Sequence, residues 1–142
     1  MTRARTSAAL LLAVVALAGC RPGPGPSAPP AAAATAPAAD GVPACTAGTL
    51  PAEADEVVDD IEAGGPYEHP RNDGTTFGNR EGLLPDEERG YYREFTVETP
   101  GLDHRGARRI VTGGPDERDP EHWYYTGDHY ESFCEFDPAA TG

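Results

Sequence analysis

Lysine is absent from this 142-residue chain: all eleven basic residues are arginine. A GC-rich genome produces that skew by itself, so it assigns no function. Cysteine is scarce, with three residues and no Cys-x-x-Cys pair, and the four histidines do not cluster. The spacings that hold zinc are therefore missing, and no metal or other cofactor is expected. Only one apolar run is long, Ala8 to Ala18, and it is too short to span a bilayer as a permanent helix. Positive charge is in short supply overall: 11 Lys and Arg against 24 Asp and Glu give a formal net charge of -13. Taken whole, that total argues against a polyanionic partner, since affinity for nucleic acid comes mainly from clustered cations and released counterions. The charges are unevenly placed, however. Acids dominate between Asp40 and Glu88, whereas Arg105, Arg108 and Arg109 lie close together, so the total hides a local basic patch.

The N-terminus reads as an export signal. Arg3 and Arg5 precede the apolar run, and Leu17-Ala18-Gly19-Cys20 follows it, in the order of a signal peptide over residues 1–19. The last four residues resemble the lipobox of bacterial lipoproteins, in which Cys20 becomes the lipidated first residue. The rival is cleavage after Ala16-Leu17-Ala18, which leaves Cys20 as a free thiol and the protein secreted. In the lipidated case the protein sits on the outer face of the cell membrane, touching it only through the anchor, and stable retention needs more than one acyl chain. Residues 20–43 are Pro, Ala and Gly with almost no large apolar side chain. Such a segment cannot bury enough surface to offset its ordering entropy and reads as a tether. Residues 44–142 then leave room for one small domain of about 100 residues with a modest core, expected as a monomer.

Within that domain the period of the apolar residues changes once. From Pro51 to Glu62, Ala54, Val57, Val58 and Ile61 recur at helical spacing with acids on the other side, which predicts an amphipathic helix. Pro51 suits its first turn, the acids suit the positive end of its dipole, and Gly64-Gly65 ends it. Thereafter short β-rich runs alternate with Gly, Pro and Asp clusters: 74–79, 91–99, 108–112, 124–126 and 129–133. These predict an antiparallel sheet. In the run from Tyr91, strand parity puts Phe95 and Val97 on one face and Glu94 on the other. If Phe95 and Ile110 pack on the helix, Glu94 and Arg109 share the opposite, open face. Thr126-Gly127-Asp128 reads as a hairpin turn that delivers His129 to that face at a strand start.

Glu94, Arg105, Arg109 and His129 carry the chemistry. A carboxylate and an imidazole can serve as base and acid of a proton-transfer reaction, and paired guanidiniums can stabilise a phosphorane, so the set suits metal-free RNA cleavage. Taken singly, each has a plainer reading: a cross-strand ion pair for Glu94, surface cations for the arginines, a local hydrogen bond for His129. The strings around them are more specific. Phe77-Gly78-Asn79-Arg80-Glu81, Gly90-Tyr91-Tyr92-Arg93-Glu94, Pro100-Gly101, Arg105-Gly106-Ala107-Arg108-Arg109-Ile110 and Tyr124-Tyr125-Thr126-Gly127-Asp128-His129-Tyr130 resemble, in order, the secreted bacterial guanyl-specific ribonucleases, the barnase family, and within it the ribonuclease Sa type. The resemblance runs from about Cys45 to Phe133.

The resemblance implies an α+β fold, with one main helix packed on a twisted antiparallel sheet of about five strands. It implies an endoribonuclease that cleaves single-stranded RNA 3′ to guanosine. Glu94 takes the 2′-hydroxyl proton, His129 protonates the leaving 5′-oxygen, and Arg105 and Arg109 hold the phosphate. Phe77, Gly78, Asn79, Arg80 and Glu81 form the base loop, with Glu81 accepting from guanine N1–H and the exocyclic amine; Phe77 also fits a packing role. Arg80 either supports Glu94 and the phosphate or completes the loop, and Tyr130 either contacts the phosphate or flanks the base. Gly78 departs from the pattern, since close members of the family carry there a larger polar side chain that covers the base. With Cys20 lipidated, Cys45 and Cys134 remain as a disulfide pair, and a barstar-like inhibitor becomes a possible partner. The competing reading is a surface lipoprotein that keeps the guanine loop for nucleotide or protein binding without catalysis.

Overall fold

The helix begins where apolar residues first recur at helical spacing with acids between them. The computed structural model describes residues 41–140; the expected signal peptide, Cys20 and the tether as far as residue 40 lie outside them. Helix α1 spans Glu53–Ala63, two residues later than expected, because Pro51 and Ala52 contribute carbonyls rather than helical turns: Ala54 N–H donates to Pro51 O at 2.9 Å. Glu53, Asp55 and Glu56 occupy its first turn, where unpaired N–H groups favour negative charge. Gly64 adopts a left-handed φ of 78°, and Gly65 N–H returns to Asp60 O at 2.7 Å. This is the closing geometry that only a residue without Cβ adopts at little cost. Ala54, Val58 and Ile61 are the buried stripe.

Five strands follow, each hydrogen-bonded to the next as an antiparallel meander: β1 Thr75–Thr76, β2 Tyr92–Thr96, β3 Arg109–Gly113, β4 His122–Thr126 and β5 Cys134–Glu135. The register places Phe95 opposite Ile110 and Ile110 opposite Tyr125. These three, with Val97 and Trp123, pack on Ala54, Val58 and Ile61 to form the main core. Glu94 and Arg109 accordingly point to the other face, as parity requires.

That other face is less open than the sequence suggested. Val42, Leu84, Tyr92, Val111, Tyr124 and Phe133 form a second buried cluster upon it. Val42, which the sequence assigns to the tether, is only 4% exposed, and Pro43 O accepts from Glu135 N–H at 2.8 Å, so ordered packing begins before residue 44. The expected strand over 129–133 does not form: the chain turns there, and the fifth strand is Cys134–Glu135. The first expected strand shrinks to Thr75–Thr76, freeing Phe77 onward as a loop. Cys45 and Cys134 are disulfide-bonded across 89 residues of sequence. The bridge closes most of the domain into one loop, a constraint worth about 3–5 kcal/mol against the unfolded chain.

Candidate active site

Glu94 lies in the middle of β2 with its carboxylate 16% exposed. Oε1 faces Arg105 Nη2 at 3.4 Å, and Oε2 accepts a hydrogen bond from the Tyr130 hydroxyl. Both oxygens are engaged from different directions, so the group is held in one orientation.

Arg105 comes from the connection between β2 and β3 and is fixed from below. Its Nε donates to Thr96 Oγ1 at 2.6 Å, and its Nη2 lies 3.6 Å from Asp73 Oδ1. Asp73 is a buried carboxylate, with 5% of its side chain exposed. It accepts from Thr96 N at 2.8 Å, from Thr96 Oγ1 at 2.7 Å and from His69 N at 3.1 Å. A buried charge held by three donors and a facing guanidinium is a supported one. Neither Asp73 nor Thr96 stood out in the sequence.

Arg109 opens β3 and is only 2% exposed. Its guanidinium is anchored by carbonyls of the preceding loop: Nη1 donates to Arg108 O at 2.6 Å and Nη2 to Gly106 O at 3.1 Å. Its Nε is buried without a hydrogen-bond partner. Gly106 is required for this loop, since its φ is 63° and a Cβ there would lie 2.9 Å from Thr99 Oγ1. Arg108 leaves the group. It reaches Glu53 on α1 at 3.4 Å and Glu98 O at 3.3 Å, so of the three clustered arginines only Arg105 and Arg109 stay on the Glu94 side.

His129 and Tyr130 sit in the turn after β4, not at a strand start. Both adopt left-handed backbones, with φ 60° and 74°, an uncommon state for residues with a Cβ that tends to mark functional sites. The His129 amide donates to Ala107 O at 3.2 Å, which ties the turn to the arginine loop, and its side chain is exposed. The Tyr130 ring stacks on Phe77 with centroids 5.0 Å apart and lies 6.0 Å from the Arg109 guanidinium carbon. Burial and then the hydrogen bond to Glu94 push its hydroxyl up to about 12, so it remains a donor at neutral pH. Asp128 behaves in the opposite sense. Burial alone would raise its carboxyl, but hydrogen bonds from Ser132, Thr126 and the Glu131 amide outweigh it and hold it below the ordinary value.

The loop 77–81 meets Glu94 and Tyr130 in one cleft of about 670 Å³. Gly78, Arg80 and Glu81 are exposed along it. Asn79 takes φ 40°, and its side chain is spent on the loop itself: Nδ2 donates to Leu84 O at 2.9 Å, and Oδ1 accepts from Leu84 N at 3.1 Å. Its contribution to a ligand is therefore through the backbone it shapes. Phe77 both lines the cleft and packs against Tyr130 and Phe133, so its two expected roles coexist. A Cβ at Gly78 would meet nothing closer than Arg80 Cγ at 3.7 Å, ordinary contact, so the glycine is not sterically demanded.

A second hollow, of about 540 Å³, surrounds Trp123 and Phe136 and contains none of these groups. His69 pairs with Glu98 at 2.5 Å and His122 with Glu135 at 3.0 Å; both lie outside the cleft. Among the described residues no cluster of three or more His, Cys, Asp or Glu side chains is placed to hold a metal ion.

A family model described as ribonuclease matches residues 32–137. Guanyl-specific ribonuclease St of Saccharopolyspora erythraea is 56% identical over 84 residues, which cover 59% of this chain and 77% of that protein. Guanyl-specific ribonuclease Sa3 of Kitasatospora aureofaciens is 51% identical over 88 residues, 62% of this chain and 59% of that protein. Among solved structures, ribonuclease Sa2 in complexes with mononucleotides superposes with a TM-score of 0.57 at 46% identity, covering 63% of this chain and 88% of that one. A second, ribonuclease Sa2 with guanosine-2′-cyclophosphate, gives 0.55 at 46% identity, covering 63% and 90%. These matches run through the segment that folds as one helix on a five-strand antiparallel sheet, and they place the chain in the ribonuclease family, among the guanyl-specific microbial ribonucleases of the Sa type.

Proposed function

We propose that this chain cleaves single-stranded RNA on the 3′ side of guanosine, forming a 2′,3′-cyclic phosphate that water then opens. The observation that carries this reading is the place of Glu94: one carboxylate stands between a loop able to read guanine and the Arg105 guanidinium, with Arg109 on the other side of the Tyr130 ring that donates to it. Backbone N–H groups of residues 77–80 meet guanine O6 and N7, and Glu81 accepts from N1–H and the exocyclic amine. Adenine offers neither that donor pair nor that acceptor and would leave Glu81 unpaired in the cleft.

Glu94 takes the proton of the 2′-hydroxyl, whose oxygen attacks the adjacent phosphorus in line. His129, protonated, gives its proton to the departing 5′-oxygen, and the P–O bond breaks. Arg105 and Arg109 stabilise the charge that builds on the non-bridging oxygens; both are anchored before the reaction, so little reorganisation is needed. Tyr130, already donating to Glu94, stands where the base loop and the phosphate meet. Water then opens the cyclic phosphate with the acid and base roles reversed. DNA, lacking the nucleophile, is not a substrate.

The test uses two dinucleotides. With the purified domain, GpA should yield guanosine 2′,3′-cyclic phosphate while ApG stays intact or reacts at least about a hundredfold more slowly, the discrimination expected when a built polar site is left unpaired. Guanylate binding without product from GpA would instead make the chain a non-catalytic binding module.

We further propose export, with residues 1–19 as signal peptide, Cys20 as lipid anchor and the Pro/Ala-rich stretch as spacer; the Leu17-Ala18-Gly19-Cys20 string supports it. Cys20→Ala should move the protein from the membrane fraction to the medium, and unchanged membrane retention would contradict lipidation.

A further inference from the structure

The turn that carries His129 has no β-ladder and no glycine at the two residues that need a left-handed backbone, so something else must hold it. Four successive amides there are satisfied. His129 N–H donates to Ala107 O at 3.2 Å and Tyr130 N–H to Thr126 Oγ1 at 3.1 Å. Glu131 N–H and Ser132 N–H donate to Asp128 Oδ1 at 3.1 and 3.0 Å. Thr126 Oγ1 in turn donates to Asp128 Oδ1 at 2.8 Å, and Ser132 Oγ donates to Oδ2 at 2.5 Å. One carboxylate therefore gathers four hydrogen bonds from both sides of the pair.

We propose that Asp128 is the positioning residue of the general acid: its carboxylate locks the left-handed His129–Tyr130 pair and so aims the imidazole at the leaving oxygen. The proposal rests on the reading of His129 as proton donor. Charge-assisted acceptance from several donors at once is the interaction best able to hold a short turn in a conformation its residues disfavour. The two neighbours depend on it unequally. Tyr130 has further anchors, since its ring lies between Phe77 and Phe133 and its hydroxyl is on Glu94. His129 is exposed, and apart from a tilted contact with the Tyr130 ring at 4.9 Å, its backbone bond to Ala107 is its tie outside the turn. Loss of Asp128 should thus fall on the acid and spare the base and the phosphate clamp.

Substrates that differ only in the leaving group separate that role from a merely structural one. GpA releases an alkoxide and needs a proton from the enzyme, whereas guanosine 3′-(4-nitrophenyl phosphate) releases a nitrophenolate and does not. The quantity read is the ratio of kcat on the two, which is independent of the fraction of protein folded. Asp128→Ala should lower that ratio about thirtyfold or more, part of the ~100- to 10,000-fold that acid–base groups supply, and His129→Ala should lower it further. Asp128→Asn keeps an acceptor oxygen and can donate to Ser132 Oγ, so it should hold the ratio within about fivefold of the wild type. Asp128→Ser, with one shorter acceptor, should fall between and serves if the alanine variant does not fold. An unchanged ratio in both Asp128→Ala and Asp128→Ser, with His129→Ala lowering it, overturns the proposal alone. An unchanged ratio in His129→Ala overturns the acid assignment, and the role of Asp128 falls with it.

Discussion

Replacing Asp73 with alanine should lower folding stability by about 3–5 kcal/mol, the range for removing one partner from a buried charged network. The carboxylate is 5% exposed and accepts from the Thr96 amide, the Thr96 hydroxyl and the His69 amide, with Arg105 Nη2 3.6 Å away. Its loss leaves the Thr96 amide and hydroxyl at the end of β2 and the His69 amide in the preceding loop without their acceptor, each costing about 1–3 kcal/mol if no water replaces it. Asp73→Asn keeps one acceptor oxygen and the side-chain volume but loses the charge, so it should cost less than alanine. Urea unfolding followed by the fluorescence of Trp123, the one tryptophan of the chain, measures both. The midpoint should drop with the slope unchanged. A loss below about 1 kcal/mol for the alanine variant would mean that water takes over these bonds and that Asp73 is not structural.

The same substitution reaches the chemistry through two steps. Asp73 orients the Thr96 hydroxyl, and that hydroxyl accepts from Arg105 Nε at 2.6 Å. The support of the phosphate clamp is therefore built into the strand that carries Glu94, with Thr96 two residues on and on the same face.

This support explains which parts of the site the sequence revealed. Strand parity was enough to send Glu94 and Arg109 to one face, because the apolar alternation of Phe95, Val97 and Ile110 is local and unambiguous. Parity also separates Arg108 from Arg109, and Arg108 indeed faces α1 and Glu53; proximity in sequence misassigned it to a common patch. Asp73 was hidden because its partner Thr96 lies 23 residues away and no periodicity links a loop aspartate to a strand threonine. The extension of the turn through 129–133 was hidden for a different reason. Tyr130 and Phe133 favour strands, and the hydrogen bonds that Asp128 gathers from Thr126, Glu131 and Ser132 overrule that preference, a local side-chain competition that alternation of apolar residues does not reveal. The second apolar cluster joins Val42, Leu84 and Phe133, one from the expected tether, one from a segment without a period and one from the expected strand 129–133, so no local pattern links them. Asn79 was legible as a loop residue but not as its organiser, since the reach of its side chain to Leu84 appears only in three dimensions.

Glu94→Gln should abolish most turnover while leaving the fold intact. Glutamine has nearly the same shape, can accept from Tyr130 through its oxygen, and cannot take the 2′-hydroxyl proton. The expected loss is about 100- to 10,000-fold in kcat on GpA, the usual contribution of a positioned base. KM should move little, since the guanine contacts lie in the loop 77–81 rather than on β2, and a fall in kcat at constant KM marks an interaction made in the transition state. Stability should change by less than about 1 kcal/mol, because Arg105 keeps Asp73 and Thr96 as partners when the Glu94 charge is removed, so no cation is left buried and alone. Normal turnover in Glu94→Gln would remove Glu94 from the mechanism and leave the paired arginines and His129 to act with a different base.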